Sequence, residues 1–268
     1  MNNLLKQLAV PFLLLTSIPS IAAITPYSQD FEGMWIPTDG QGESDTFVAD
    51  NWEISGNVFD GADPFPGYYL YFYGDFFPAI NGALGFSSVS SGDMTIDNGS
   101  QYLSVYNDYN NITAHNSGQI VNAFFIQQFI LDAEDIGKTL TFNFDAKRPE
   151  MVDDGFGGDS SSAVSNNCSN TCIAQAGVQT LDPFNGYTIT NKVIVDTSFI
   201  SQSSWETFSI SLDLSDPLLE GQILQLGFES FATNFDNTSV YYDNISFSTS
   251  EVPLPAGIYL FLSGLVGL

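Results

Sequence analysis

The chain has 268 residues, 44% of them apolar and 14% aromatic, which is too much apolar side chain for an acidic disordered polymer and enough for one large core. Thirty-one Asp and Glu against five Lys and Arg leave a net charge of −26, which repels phosphate backbones and anionic headgroups, so nucleic acid is not an expected partner. Hard divalent cations suit such a surface better, because they take carboxylate and carbonyl oxygens.

In chain order, Lys6, the apolar run Leu8 to Ile18 and the small residues of Ser20-Ile21-Ala22-Ala23 follow the charged, greasy, small sequence of a secretory signal peptide, with cleavage after Ala22 or Ala23. Residues 1–23 are read as that signal and 24–250 as one domain. The body then shows short runs rich in Phe, Tyr, Val, Ile and Thr, parted by Gly, Asn, Asp and Pro clusters. Strands are predicted near 27–32, 51–59, 68–73, 101–107, 119–131, 138–148, 171–181, 188–196, 205–214, 222–232 and 239–248, an all-β pattern that fits a two-sheet jelly-roll sandwich.

Several of these runs alternate. Phe142, Phe144 and Ala146 oppose Asn143, Asp145 and Lys147; Ala174, Ala176 and Val178 oppose Gln175 and Gln179; Leu224, Leu226 and Phe228 oppose Gln225 and Glu229. The polar set Asn143, Asp145, Lys147, Gln175, Gln179, Gln225 and Glu229 is expected on one wet, concave face, where amides and carboxylates can bind sugar hydroxyls. Gln119 to Leu131 is apolar on both faces, which predicts a central strand. Tyr69, Tyr71 and Tyr73 fall at strand spacing, either as an edge ladder in packing or as a platform for stacking sugars. Trp52 and Trp205 read as core, Trp35 as exposed.

The stretch from Pro149 to Asn170 lacks periodicity and reads as a long loop ending at Cys168 and Cys172, which in an oxidising compartment can close a small local disulfide. His115 is the only histidine and sits in an Asn-rich turn with no nucleophile motif nearby, so catalysis is not expected. Among 31 acids, a carboxylate pair for polysaccharide hydrolysis remains the enzymatic alternative.

Two resemblances extend this reading. Val252-Pro253-Leu254-Pro255-Ala256, followed by an aromatic-aliphatic run with Ser263-Gly264-Leu265, resembles the VPLPA variant of the PEP-CTERM sorting signal. That implies residues 251–268 are handled by an exosortase-type transpeptidase at the surface of a Gram-negative cell. Such signals close with an Arg/Lys cluster that does not follow Leu268, so the signal is read as truncated or degenerate. YSQDFEGMW near the start and VYYDNISFS near the end resemble the opening and closing strands of jelly-roll carbohydrate-binding modules. There a Glu after Phe and an Asp before Asn flank a structural calcium, which here implies Glu32 and Asp243. Together these imply an exported, calcium-stabilised, non-catalytic module that holds extracellular polysaccharide in a surface matrix or biofilm. The alternative is a structural or adhesive surface protein.

Overall fold

In the computed structural model the period-two patterns become strands. It describes residues 23–34, 50–63, 66–74, 87–91, 99–107, 118–149, 173–233 and 238–251. The leader through Ala22, Trp35, His115, Cys168, Cys172 and the tail from Val252 lie outside the described residues.

The strands are β1 (Tyr27–Gln29), β2 (Glu53–Phe59), β3 (Tyr69–Gly74), β4 (Ser87–Ser91), β5 (Gln101–Asn107), β6 (Ile120–Ile130), β7 (Lys138–Lys147), β8 (Ile173–Asp182), β9 (Thr188–Asp196), β10 (Glu206–Asp213), β11 (Ile223–Thr233) and β12 (Thr238–Glu251). They form two antiparallel sheets. The first runs β10-β7-β12-β5-β4 with β1 also paired to β12, and the second runs β3-β2-β6-β11-β8-β9. From β5 onward almost every connection crosses from one sheet to the other, which makes this a two-sheet jelly-roll β-sandwich.

The inner faces carry the residues that alternation assigns to them. Phe142, Phe144 and Ala146 of β7 are buried, Phe142 and Phe144 meet Phe228 of β11, and Tyr242 of β12 stacks on Phe228 with ring centroids 3.7 Å apart. Each such ring removes on the order of 2–3 kcal/mol of apolar surface from water. As its apolar run predicts, β6 is central, with β2 on one edge and β11 on the other. Trp52 is core as expected, stacked on Phe125 at 4.3 Å with its indole N–H donating to Tyr27 Oη.

Two expectations change. β4, Ser-Ser-Val-Ser-Ser, carries too little hydrophobic signal to be read from sequence, and its pairing to β5 with Val89 buried defines it. Trp205 is not on the inner face. Glu206 pairs with Ala146, so Trp205 precedes the ladder beside Lys147, and its ring meets Tyr102 edge-on at 6.0 Å.

Candidate functional site

Residues paired across a ladder share a face, so the register maps the outer surface of the second sheet row by row. One row runs Lys192, Gln179, Gln225, Gln128 over β9, β8, β11 and β6. The next runs Ile194, Gly177, Gly227, Ile126, and the third runs Asp196, Gln175, Glu229, Phe124. Rows lie about 7 Å apart and strands about 4.8 Å. The paired glycines leave two adjacent strands without side chains, a trough walled by amides on one side and by Gln175 and Glu229 on the other. The depression is shallow and is lined by Ile126, Gln179, Lys192, Gln225 and Glu229 around the two glycines.

Hydrogen bonds fix the walls. Gln179 Nε2 donates to Gln225 Oε1 at 2.7 Å, Gln225 Nε2 donates to Gln128 Oε1 at 2.7 Å, and Gln128 Nε2 donates to Glu53 Oε2 at 2.6 Å. Opposite, Gln175 Nε2 donates to Glu229 Oε2 at 2.7 Å. Gln179 is 4% exposed, lines the trough, and its Oε1 has no hydrogen-bond partner. A buried acceptor in that condition costs free energy until a donor reaches it. Burial raises the Glu229 carboxyl above its usual range, against the opposing pull of the Lys192 charge and the Gln175 hydrogen bond.

The structure therefore brings Gln175, Gln179, Gln225 and Glu229 together, but not with Asn143, Asp145 and Lys147. Those three lie on β7, on the outer face of the first sheet, pointing away from the trough. The amide face is also buried rather than wet. Gly177, Gly227, Ile194 and Lys192 were not singled out from sequence. The available signal was an isolated glycine at the same phase in two alternating runs, the mark of close backbone approach in a strand.

The aromatic run on β3 also rearranges. Phe59 pairs with Tyr69 and Val58 with Tyr71, with a register shift between them, so Tyr69 and Tyr71 sit on opposite faces and no common row forms. Tyr69 meets Phe59 edge-on at 6.0 Å, and the Tyr73 side chain is outside the described residues.

Glu32 and Asp243 do approach one region. The edge of β12 pairs with β5 up to Tyr242 and with β1 from Ile245, leaving Asp243 and Asn244 in a gap between the two. β12 bulges there against β7, with Asn244 at φ 48°. Glu32 holds the start of β5, accepting Ser100 and Gln101 N–H on Oε1 and Ser100 Oγ–H on Oε2, and these bonds hold its carboxyl below the usual range. Asp243 pairs directly with Asp145. Asp145 accepts from Thr207 Oγ1 at 2.6 Å and Asn244 Nδ2 at 2.8 Å, whereas Asp243 Oδ2 is buried with no hydrogen-bond partner. Burial first, then the charges of Asp145, Glu32 and Asp30, push Asp243 up to about 7, while the Asn244 N–H bond opposes the shift. Among the described residues no group of three or more His, Cys, Asp or Glu side chains is arranged to hold a metal ion. Any cation here must therefore draw on carbonyl and amide oxygens as well. The Phe31 and Met34 carbonyls converge on the Gln101 side-chain amide, whose nitrogen, when turned toward them, lies 3.0 Å from Met34 O.

No family model and no curated protein matches the chain. Among solved structures it is similar to the enzymatically active domain of tailspike protein 4 of bacteriophage CBA120, at 12% identity and TM-score 0.40 over 80% of this chain. It spans only 21% of the length of that domain. It is similar to carbohydrate-binding modules of the β-sandwich superfamily at 12% identity and TM-score 0.38, over 78% of this chain and 62% of the other. It is also similar to the family 11 carbohydrate-binding module of a cellulosomal cellulase of Clostridium thermocellum, at 13% identity and TM-score 0.37, over 87% of this chain and 100% of the other. The chain's own two antiparallel sheets place it among the jelly-roll β-sandwiches.

Proposed function

We propose that the chain is an exported, non-catalytic glycan-binding sandwich, and that the Gly177–Gly227 trough is its ligand site. The observation that carries this reading is the buried, unpartnered Gln179 Oε1 on the trough wall. A ligand there must present a hydrogen-bond donor, and a sugar hydroxyl can donate to Gln179 while accepting from a neighbouring amide. Gly177 and Gly227 carry no side chain, so the edge of a sugar can approach the backbone beside Ile126 and Lys192. Screening on a glycan array followed by calorimetry tests it. Gln179→Leu is expected to weaken the best-bound glycan about tenfold, the worth of one hydrogen bond to a buried acceptor. Gly177→Val fills the trough and is expected to abolish binding. Wild-type affinity in both variants sinks the reading, and time-dependent release of reducing ends would replace it with hydrolysis.

This reading includes a calcium ion beside Asp243. Asp243 Oδ2 is a buried oxygen without a hydrogen-bond partner, and Asp145 adds negative charge directly across the ladder, the hard anionic oxygen that calcium accepts. Calcium there removes carboxylate repulsion and ties β1, β5 and β12 together. Sorting by an exosortase to a Gram-negative surface, and a place in the extracellular matrix, rest on the sequence patterns of the leader and of Val252 to Leu268.

A further inference from the structure

Ile24 is buried in the core between the sheets, and its backbone N–H donates to Asp135 Oδ1 at 2.9 Å. Asp135 is fully buried in the turn between β6 and β7, 111 positions along the chain. Its other oxygen accepts the Asp132 N–H at 3.2 Å. Two neutral backbone donors are what this carboxylate meets, and among the described residues no lysine or arginine forms an ion pair with it. A wholly buried carboxylate without a countercharge is heavily penalised, and a protein holding one has normally placed a cation against it.

We infer that the exported chain is cut between Ala23 and Ile24, and that the α-ammonium released on Ile24 forms a buried ion pair with Asp135. This rests on the export reading above. A signal peptidase adds water across the bond: the Ala23–Ile24 C–N bond breaks, a C–O bond forms, Ala23 leaves as a carboxylate on the leader, and the Ile24 nitrogen takes up both protons of that water to become an ammonium. The atom already 2.9 Å from Asp135 then carries three N–H donors and a full positive charge, which shortens and strengthens a bond to carboxylate.

The leader pattern alone allows cleavage after Ala22 or after Ala23. The structure discriminates, because a cut after Ala22 keeps the Ile24 nitrogen a neutral amide and moves the charge one residue away, about 3.8 Å along the chain. The order of events follows from burial. Ile24 is 5% exposed once folded, so the cut precedes docking, and the new terminus then locks the start of β1 to the turn that joins the two sheets.

The test is to express the full chain with its leader in a Gram-negative host and determine the first residue of the exported protein by N-terminal sequencing and intact mass. Ile24 is expected. An exported protein beginning at Ala23 or elsewhere overturns this inference and leaves the export reading standing, whereas a cytoplasmic chain with its leader intact overturns both. In parallel, Asp135→Asn is placed in chains running from Ile24 and from Ala22 to Leu268. The substitution is expected to lower Tm by about 10 °C in the first and by less than half of that in the second. Equal losses mean that Asp135 serves only its own turn, and overturn the ion pair.

Discussion

At pH 8 in EDTA, Asp243→Asn is expected to melt about 5 °C above the wild type, and the order is expected to reverse when calcium is added. The native Asp243 carboxyl is pushed up to about 7 from an ordinary 3.8 by burial and by its acidic neighbours. A raised carboxyl binds its proton more tightly folded than unfolded. Its stabilisation is therefore full below pH 3.8 and is lost as pH rises through about 7. With partial solvent screening the loss is on the order of 2 kcal/mol, which for a chain of this size is roughly 5 °C. Asparagine keeps the oxygen that accepts the Asn244 N–H but removes the charge facing Asp145. Calcium at 100 times its Kd restores about 2.7 kcal/mol to the wild type. Thermal scans at pH 5 and pH 8, with calcium and with EDTA, check both arms. A wild-type Tm indifferent to calcium at pH 8 removes the cation, and a Tm flat across pH in EDTA removes the buried charge.

Gly227→Ala is expected to lower Tm by about 10 °C or to prevent folding, while Gly177→Ala, its direct partner on the trough floor, is expected to stay within about 3 °C of wild type. Gly227 sits at φ +146°, and a Cβ built there lands on the Phe125 carbonyl oxygen of the neighbouring strand, a backbone atom that cannot move without breaking the β6–β11 ladder. The methyl on Gly177 meets Ile194 Cγ2 at 3.2 Å and Val193 O at 3.4 Å. Ile194 is on the edge strand and half-exposed, so it can give way, and a strand glycine replaced by alanine loses less backbone entropy on folding. Equal melting losses in the two variants would mean that the β8–β11–β6 register differs from the one described.

The strands were legible because alternation is local: Phe142, Phe144 and Ala146 face inward for the same period-two reason whatever lies opposite. The centrality of β6 was legible too, since a strand apolar on both faces has to be covered on both. Local pattern cannot say which sheet a strand joins. Asn143 on β7 and Gln175 on β8 have the same alternation, yet their strands belong to different sheets, and one expected polar face became two. Nor does it register bulges, which arise where one strand is a residue longer than its partner requires. They separated Tyr69 from Tyr71 and set Asp243 beside the end of β1.

The amino-acid sequence by itself determined the class, the inward and outward sets of each long strand, and the two ends that carry the Glu32 and Asp243 neighbourhood. Tertiary structure alone decided that four amide and carboxylate side chains close around a pair of glycines, that one acceptor among them is left without a donor, and that Ile24 meets Asp135. Each of these is a meeting of residues 46 or more positions apart, made by ladder register and by sheet packing, and neither is written in the period of any single strand.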